Sequence, residues 1–277
     1  MEKISRQTQI SASSKIVVDS LNIESWRALA KAVGGEEKLQ AAGKLVVDMR
    51  KIKEPEEIQF IHQACKLADE GMRVAYETIQ PGVSELEVAA EVEYAMRKAG
   101  SGGTAFDTII ASGASSTYPH GSCTNRLIGE GDLVVVDLGA TVNFYRSDIT
   151  RTIIAGITSQ KQNEIYQTVK LAQDLGFRAV KSGVLAKDVD AAARTVIENA
   201  GFGEYFVHNL GHGVGLEVHE APILSPESKD SLTVGNVVTV EPGIYIAGYG
   251  GVRIEDTVLV TEKGAEKLTR APYTFKA

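Results

Sequence analysis

Four carboxylate residues stand at the ends of apolar stretches in a pattern that could bind cations. Asp137 ends one valine-rich run, and Glu241 ends a second run of the same kind. Asp148 and Glu255 lie on the segments that follow these two runs. Near-continuous apolar runs are typical of strands buried on both faces, and buried carboxylates repel one another unless a cation neutralises them. The pattern therefore favours a divalent metal site over a solvated acidic surface.

Four of the five histidines lie in loops marked by glycine or proline: His120, His208, His212 and His219. Glycine beside a histidine lets the backbone approach a ligand closely, which a histidine in the apolar core does not need. Three of these imidazoles follow one another at intervals of four and seven residues. The fifth, His62, falls on the face of an amphipathic helix and is predicted to be structural.

The donor set predicts which metal would bind. A shell rich in carboxylate oxygen with one imidazole suits Mn²⁺, Co²⁺, Fe²⁺ or Zn²⁺, and Mn²⁺ fits so many oxygen ligands best. Five protein ligands exceed the roughly three of a catalytic zinc, and suit two metals about 3.5–4 Å apart. Cys123, three residues after His120, also permits a cysteine nucleophile. Because no third group is seen to orient the pair, a buried neutral thiol is the favoured interpretation.

The elements that must hold these residues are repeated along the chain. Residues 82–100 and 183–201 share six identities at an offset of 101, more than the one or two expected by chance. The runs that end in Asp137 and Glu241 repeat as well. The sequence thus predicts a tandem duplication of an α/β half, with a pseudo-two-fold axis and the site near that axis.

The part of the chain before the first long helix has a different pattern. Residues 15–18 predict a strand, residues 23–33 a helix that ends at a Gly-Gly pair, and residues 44–49 a second strand. One strand–helix–strand unit cannot bury a core of its own. We therefore expect residues 1–53 to be the remnant of an N-terminal domain and residues 54–277 to form the catalytic domain.

Helices and strands then alternate in the larger part of the chain. A long helix starts at Glu54, and a capping box at Ser84–Glu87 opens a second helix that ends at Gly100. Predicted strands of the first half cover residues 107–111, 133–136 and 151–155.

Composition limits the classes of partner. The chain has 36 acidic and 29 basic residues, which gives a net charge of −7 and argues against nucleic acid as a partner. No apolar run approaches the roughly 18 residues of a membrane span, and residues 1–6 lack the core of a signal peptide. With only two cysteines, Cys65 and Cys123, the sequence favours a reducing cytoplasm.

Five motifs, in the contexts VVVDLGA, YRSDITRT, GHGVG, VEPGIY and GVRIEDT, resemble the metal-binding set of the pita-bread metallopeptidases. Within that family the chain most resembles the Xaa-Pro peptidases, prolidase and aminopeptidase P, over roughly residues 54–277. The resemblance implies a duplicated α/β pita-bread fold around a central antiparallel sheet. It implies five metal ligands: Asp137, Asp148, His212, Glu241 and Glu255.

The resemblance also distributes roles among these residues. Asp137 would chelate one metal, His212 and Glu241 the other, and Asp148 and Glu255 would bridge the two. The implied catalytic residues are His120, His219 and Glu241, with Glu241 as the acceptor of a proton. Supporting positions would be His208, Tyr145 and Thr150 beside Asp148, and Arg253 beside Glu255.

The implied activity is hydrolysis of the Xaa-Pro bond of peptides or dipeptides by a hydroxide that bridges two divalent metals. The alternatives are a methionine aminopeptidase and a non-catalytic pita-bread module that binds peptides. Dipeptide-cleaving relatives commonly carry arginine where this chain has Ile223, which favours longer peptides beginning Xaa-Pro. The expected partners are small proline-containing peptides and, as in relatives, a second copy of the chain.

Overall fold

Residues 15–19 and 21–275 are described by a computed structural model of the chain. The chain divides into two compact units, Met1–Arg50 and Lys51–Ala277, so the division falls three residues before the expected boundary. The signal-peptide prediction for residues 1–6 lies outside the described residues. Among the described helices, none is long and apolar enough to cross a membrane.

The N-terminal unit begins with the predicted strand and helix. Strand β1 (Ile16–Val18) pairs in parallel with β2 (Leu39–Ala41), and helix α1 (Ile23–Val33) lies between them in the chain. Asn22 caps α1 by accepting a hydrogen bond from the backbone of Ser25 at 2.8 Å. Gly34, with φ of +93°, ends the helix in the left-handed conformation that glycine adopts without strain.

The prediction of a strand over residues 44–49 is wrong. This segment belongs to helix α2 (Leu45–Lys51), and the strand that pairs with β1 lies earlier in the chain. The adjacent Val46 and Val47 favour a strand by intrinsic preference, but packing overrides a preference of this size. Val46 and Arg50 are half-buried and four residues apart, which is the spacing of one helix face.

The larger unit contains two pairs of long helices. They are α3 (Pro55–Thr78), α4 (Glu85–Lys98), α5 (Gln160–Ala179) and α6 (Ala186–Asn199). The predicted capping box is present, because Ser84 and Glu87 exchange side-chain to backbone hydrogen bonds at 3.2 and 2.8 Å. Helices α4 and α6 are both 14 residues long and begin 101 residues apart, as the duplication predicts.

All ladders of the larger unit are antiparallel among the described residues. The first half contributes β3 (Ile109–Ser112), β4 (Leu133–Leu138), β5 (Thr141–Val142), β6 (Tyr145–Arg146) and β7 (Ile149–Ile154). The second half contributes β8 (Gly211–Gly213), β9 (Glu220–Leu224), β10 (Val237–Val240), β11 (Gly243–Ile246), β12 (Gly250–Arg253), β13 (Asp256–Thr261) and β14 (Gly264–Lys267). The strand orders are β3–β4–β7 and β14–β13–β10–β8–β9, with β5–β6 and β11–β12 as hairpins.

Each half has its own apolar core, and the halves meet along β7. One core joins α3 and α4 to β3, β4 and β7, whereas the other joins α5 and α6 to β10–β13. At the seam, Glu255 N donates to Thr150 O at 3.0 Å, and the Thr152 hydroxyl donates to Arg253 O at 2.9 Å. Asp148 and Glu255 both lie on this seam between the two halves.

Candidate active site

A cavity of about 540 Å³ opens where the two halves meet. All five predicted metal ligands line it, and they come from both halves of the duplication. The other predicted site residues in its wall are His120, His208, His219, Ile223 and Arg253. The structure therefore brings together, in one concave site, residues that are up to 135 positions apart in the sequence.

Asp148 and Glu255 occupy the seam itself. Asp148 directly precedes β7, and Glu255 lies between β12 and β13. One ligand atom each from Asp148, Glu255 and His212 lie within 4.8 Å of one another, and all three residues are buried. This group is compact enough to hold a metal ion.

His212 lies on β8 with one ring nitrogen aimed at two carboxylates. Its Nδ1 is 3.1 Å from the carbonyl oxygen of Gly213, so this nitrogen carries the proton and donates. Its Nε2 lies 3.1 Å from Glu241 Oε1 and 3.7 Å from Asp148 Oδ2. A carbonyl that accepts from Nδ1 leaves Nε2 as the nitrogen that could bind a metal, which is the usual arrangement of a metal-binding histidine.

Glycines on both sides of His212 are required by close packing of β8. A Cβ atom on Gly211 would lie 2.1 Å from Thr239 O, and one on Gly213 would lie 2.3 Å from Ala221 O. The neighbouring strands therefore approach His212 more closely than any other residue type would allow.

A chain of hydrogen bonds through Arg253, Tyr245 and His208 supports Asp137. Arg253 Nη2 donates to Asp137 Oδ2 at 2.5 Å, and Arg253 Nη1 donates to the Tyr245 hydroxyl at 2.9 Å. Because that hydroxyl accepts from Arg253, its own proton points to His208 Nε2, 2.9 Å away. His208 Nδ1 then donates to the Asn209 carbonyl at 2.7 Å. His208 thus supports the site through Tyr245.

The charges of the site are unbalanced without a cation. Burial and the neighbouring carboxylates raise the pKa of Asp148 and of Glu255 well above their ordinary values. Burial also raises the pKa of Asp137, even though Arg253 opposes the shift. Buried oxygens of two acids, Asp137 Oδ1 and Glu255 Oε1, have no hydrogen-bond partner among the described residues. Orphaned carboxylate oxygens that converge on one cavity fit a bound divalent cation.

Glu241 and His212 each favour the charged form of the other. Although burial opposes ionisation, the hydrogen bond and charge of His212 lower the pKa of Glu241 to about 2. In turn Glu241 raises the pKa of His212 against the effect of burial. Thr239 supports both residues, because its hydroxyl donates to Glu241 Oε1 at 3.0 Å and accepts from His212 N at 3.1 Å. Glu241 is thus the acid of this site that is most readily ionised.

Two further histidines face the open part of the cavity. His120 is exposed and follows Pro119, whose carbonyl accepts a hydrogen bond from Arg253 Nη1 at 3.1 Å. The ring of His219 lies 4.2 Å from that of His212, centroid to centroid, at 58°. Burial and the charge of His212 lower the pKa of His219, so it is neutral near pH 7 and can donate one N–H.

Three predicted supporting contacts differ in the structure. The Thr150 hydroxyl donates to Glu255 Oε2 at 2.6 Å instead of to Asp148. Arg253 pairs with Asp137, and reaches Glu255 only through Thr150 Oγ1. Tyr145 points elsewhere, because its hydroxyl donates to Glu57 at 2.5 Å and it is absent from the described cavity lining. Along an extended segment, residues an odd number apart face opposite sides, which separates Tyr145 from Asp148.

The thiol of Cys123 has a structural role in the wall beneath the cavity. It donates to Thr108 O at 3.0 Å and accepts from Ile110 N at 3.2 Å. Burial raises its pKa, which disfavours a reactive thiolate. His62 lies half-buried on α3 and does not belong to the described cavity lining.

Sequence reasoning missed the hydroxyl groups of Tyr245, Thr239 and Thr257. Thr257 Oγ1 donates to Asp148 O at 2.7 Å and so fixes the backbone of that acid. Two signals were available: Tyr245 ends the VEPGIY motif, and Thr150 and Thr257 each follow an acid by two residues, in Asp148-Ile-Thr and Glu255-Asp-Thr.

The two duplicated halves form a fold of the pita-bread type. A profile of metallopeptidase family M24 matches residues 59–262, and the chain belongs to this family. The resemblance seen in the sequence motifs is thereby confirmed.

Known relatives are similar over most of the chain. A Xaa-Pro dipeptidase of Pyrococcus furiosus is 53% identical over 226 residues, which cover 82% of this chain and 65% of that protein. A prolidase structure from Pyrococcus horikoshii matches with a TM-score of 0.92 at 45% identity, and covers 95% of this chain and 76% of that one. An X-Pro aminopeptidase structure from Thermotoga maritima matches with a TM-score of 0.94 at 38% identity, over 100% and 77% of the two chains. This chain therefore spans slightly less than two thirds of the P. furiosus dipeptidase.

Proposed function

We propose that the protein is a metallopeptidase that hydrolyses the bond between an N-terminal residue and proline. The observation that carries the proposal is the convergence of three buried carboxylates, the half-buried Glu241 and the buried His212 in one cavity, with His120 and His219 at its open side. The names of the Pyrococcus and Thermotoga relatives support an Xaa-Pro substrate.

The cavity residues would hold two divalent metal ions. Asp137 would bind one ion, His212 and Glu241 the other, and Asp148 and Glu255 both. Mn²⁺ suits this oxygen-rich set best, with Co²⁺ or Zn²⁺ as substitutes. When bound, two such ions polarise the scissile carbonyl and lower the pKa of the attacking water.

Side chains of the protein would transfer the proton and stabilise the negative charge that develops at the scissile bond. Neutral His219 donates an N–H to the oxygen of the scissile carbonyl as negative charge develops there. His120 would hold the substrate amide, and Glu241 would accept a proton from the attacking water.

The residues that line the cavity near Ile223 determine which length of peptide we expect the site to accept. A dipeptide ends in a carboxylate one residue beyond the scissile bond, and that carboxylate needs a cationic partner. In the described cavity lining the one arginine is Arg253, which already contacts Asp137, Tyr245 and Thr150. We therefore propose that longer peptides beginning Xaa-Pro are cleaved better than dipeptides.

Two experiments test the activity and its metal dependence. Dialysis against a chelator should abolish Xaa-Pro hydrolysis and Mn²⁺ should restore it, whereas Asp148→Asn and Glu255→Gln should remain at least about 100-fold less active. Activity that survives exhaustive chelation would contradict the metal mechanism.

The preferred length of the substrate is tested separately. The value of kcat/KM for Ala-Pro-Ala should exceed that for Ala-Pro about tenfold, and a preference for Ala-Pro would restore the dipeptidase assignment.

Other functions lack a supporting observation of this kind. A methionine aminopeptidase would cleave Met-Ala-Ser in preference to Ala-Pro-Ala. A non-catalytic peptide-binding module would bind the tripeptide without cleaving it. We further propose a homodimer, tested by light scattering at micromolar concentration, and a cytoplasmic location, with which the free thiols of Cys65 and Cys123 agree.

A further inference from the structure

The connection that carries His219 is held at both ends. Residues 214–219, here called the His219 loop, link β8 to β9, and Gly213 pairs with Glu220 at its base. At the start of the loop, Arg146 N donates to Gly215 O at 2.9 Å and Arg146 Nε donates to Leu216 O at 3.1 Å. The first part of the loop is therefore fixed to β6.

A buried ion pair holds the C-terminal end of the His219 loop. Glu220 follows His219 directly, and its Oε1 lies 2.6 Å from Lys53 Nζ. The side chains of Lys53 and Glu220 are only 2% and 8% exposed. Glu220 Oε2 also accepts from Glu217 N, at 3.4 Å, within the loop itself. The carboxylate of Glu220 thus ties the loop to Lys53.

The backbone of Lys53 is fixed by a hydrogen bond to the second half and by the start of α3. Lys53 N donates to Gly235 O at 2.9 Å, in the turn before β10, and the next residue, Glu54, caps α3. Lys53 is therefore anchored to the turn that precedes β10, the strand that leads to Glu241.

We infer that Lys53 is a positioning residue, which through Glu220 sets the imidazole of His219 for its contact with substrate; this rests on the proposed function. A buried ion pair is seldom worth more to stability than an apolar pair of similar size. Its place one residue from His219 gives it a different use, because both side chains are buried and the pair therefore restrains the backbone next to His219.

The test is a double-mutant cycle between Lys53→Met and His219→Ala. Misplacement of a catalytic group by about 1 Å can cost on the order of 100-fold in rate. We therefore expect Lys53→Met to lower kcat for Ala-Pro-Ala by about 10- to 100-fold and to change KM less than about threefold. In the His219→Ala background, the same substitution should lower kcat less than about twofold.

Two further variants separate positioning from stability. Lys53→Met with Glu220→Leu replaces the ion pair by an apolar pair, and should restore the thermal stability without restoring kcat. Lys51→Met is the matched control, because Lys51 also forms an ion pair, at 3.0 Å, but with Asp230, which is not part of the His219 loop. It should keep wild-type kcat.

Hydrogen exchange provides a readout that does not depend on activity. A peptide spanning residues 214–220 should exchange faster in Lys53→Met than in the wild type or Lys51→Met. Equal losses of kcat in both backgrounds, full recovery of kcat in the apolar pair, or unchanged exchange would overturn the inference. A wild-type protein that does not cleave Xaa-Pro peptides would refute the proposed function instead, and the exchange comparison would still decide whether Lys53 holds the loop.

Discussion

The Thr150 hydroxyl joins two charged side chains beneath the cavity, and its removal is the sharpest test of how the acids are held. It donates to Glu255 Oε2 at 2.6 Å and accepts from Arg253 Nε at 3.1 Å. Thr150, Glu255 and Arg253 are 0%, 1% and 3% exposed, so water does not replace a lost partner. Thr150→Val keeps the shape of the side chain and removes both hydrogen bonds.

The size of the effect follows from the charges involved. A hydrogen bond to a charged group contributes about 1.5–3 kcal/mol, so two such bonds set an upper bound of about 3–6 kcal/mol on the loss of unfolding free energy. Loss of a group that orients a metal ligand typically weakens metal binding 10- to 100-fold, or about 1.4–2.7 kcal/mol. We expect Mn²⁺ binding to Thr150→Val to weaken by that factor.

Thr152 provides a matched control two residues further along β7. Its hydroxyl donates to Arg253 O at 2.9 Å and accepts from Arg253 N at 3.0 Å, so Thr152→Val also removes two buried hydrogen bonds. Those partners are neutral backbone groups, each worth about 0.5–1.5 kcal/mol. This variant should unfold more easily and bind Mn²⁺ within about threefold of the wild type.

The assay is a calorimetric Mn²⁺ titration of chelator-dialysed protein, together with thermal unfolding of both variants without metal. Wild-type Mn²⁺ affinity in Thr150→Val would refute the reasoning, because Glu255 would then not depend on the hydroxyl. An equal loss of affinity in Thr152→Val would refute it as well, since the effect would follow from general loosening of the seam.

Two further outcomes follow from the structure. Cys123→Ser should keep kcat/KM within about threefold, because the thiol bonds only to backbone groups, Thr108 O and Ile110 N, which a hydroxyl can also do; a loss of 100-fold would revive the cysteine nucleophile. Against the cost of burial, Arg151 and Lys267 lower the pKa of Asp256, which stabilises the fold above the unfolded pKa of about 3.9, and this contribution is lost as pH falls through the folded pKa. Because Asp256→Asn leaves the buried Arg151 without its charged partner, it should lose about 3–5 kcal/mol of unfolding free energy at pH 7. In urea unfolding, the gap to the wild type should begin to narrow near pH 3.9 and shrink further as pH falls through the folded pKa, whereas a gap independent of pH would contradict this.

Local signals were sufficient to predict the long helices but not the short helix α2. The face of α3 repeats at helical spacing for more than four turns, and α4 begins at a complete capping box, so both follow from short segments of sequence. Residues 44–49 carry no such period. Their conformation depends on which side chains find a packing surface, and this is a property of the tertiary structure.

The site shows the same division between local and non-local information. Asp137 and Glu241 were predictable because the duplication repeats the strands that end in them. Tyr245 was not, because its contacts with Arg253 and His208 depend on the register of the β11–β12 hairpin and on the path of a distant loop. A single tyrosine or threonine carries no signal of its role until the strands around it are paired.

The seam explains why the acids of the two halves depend on each other. Glu255 N donates to Thr150 O at 3.0 Å, and Asp148 N donates to Thr257 Oγ1 at 3.3 Å, so each acid is held by the threonine that follows the other acid. The relationship is reciprocal in the residues but not in the groups they use. Glu255 N donates to the backbone carbonyl of Thr150, whereas Asp148 N donates to the hydroxyl of Thr257. The Thr150 hydroxyl donates to a carboxylate and the Thr257 hydroxyl donates to a carbonyl. Either half alone would leave its acid without the group that orients it. The site is therefore formed only when the two halves pack together. Because the hydroxyls of Thr150 and Thr257 contact different groups, the two acids have different surroundings.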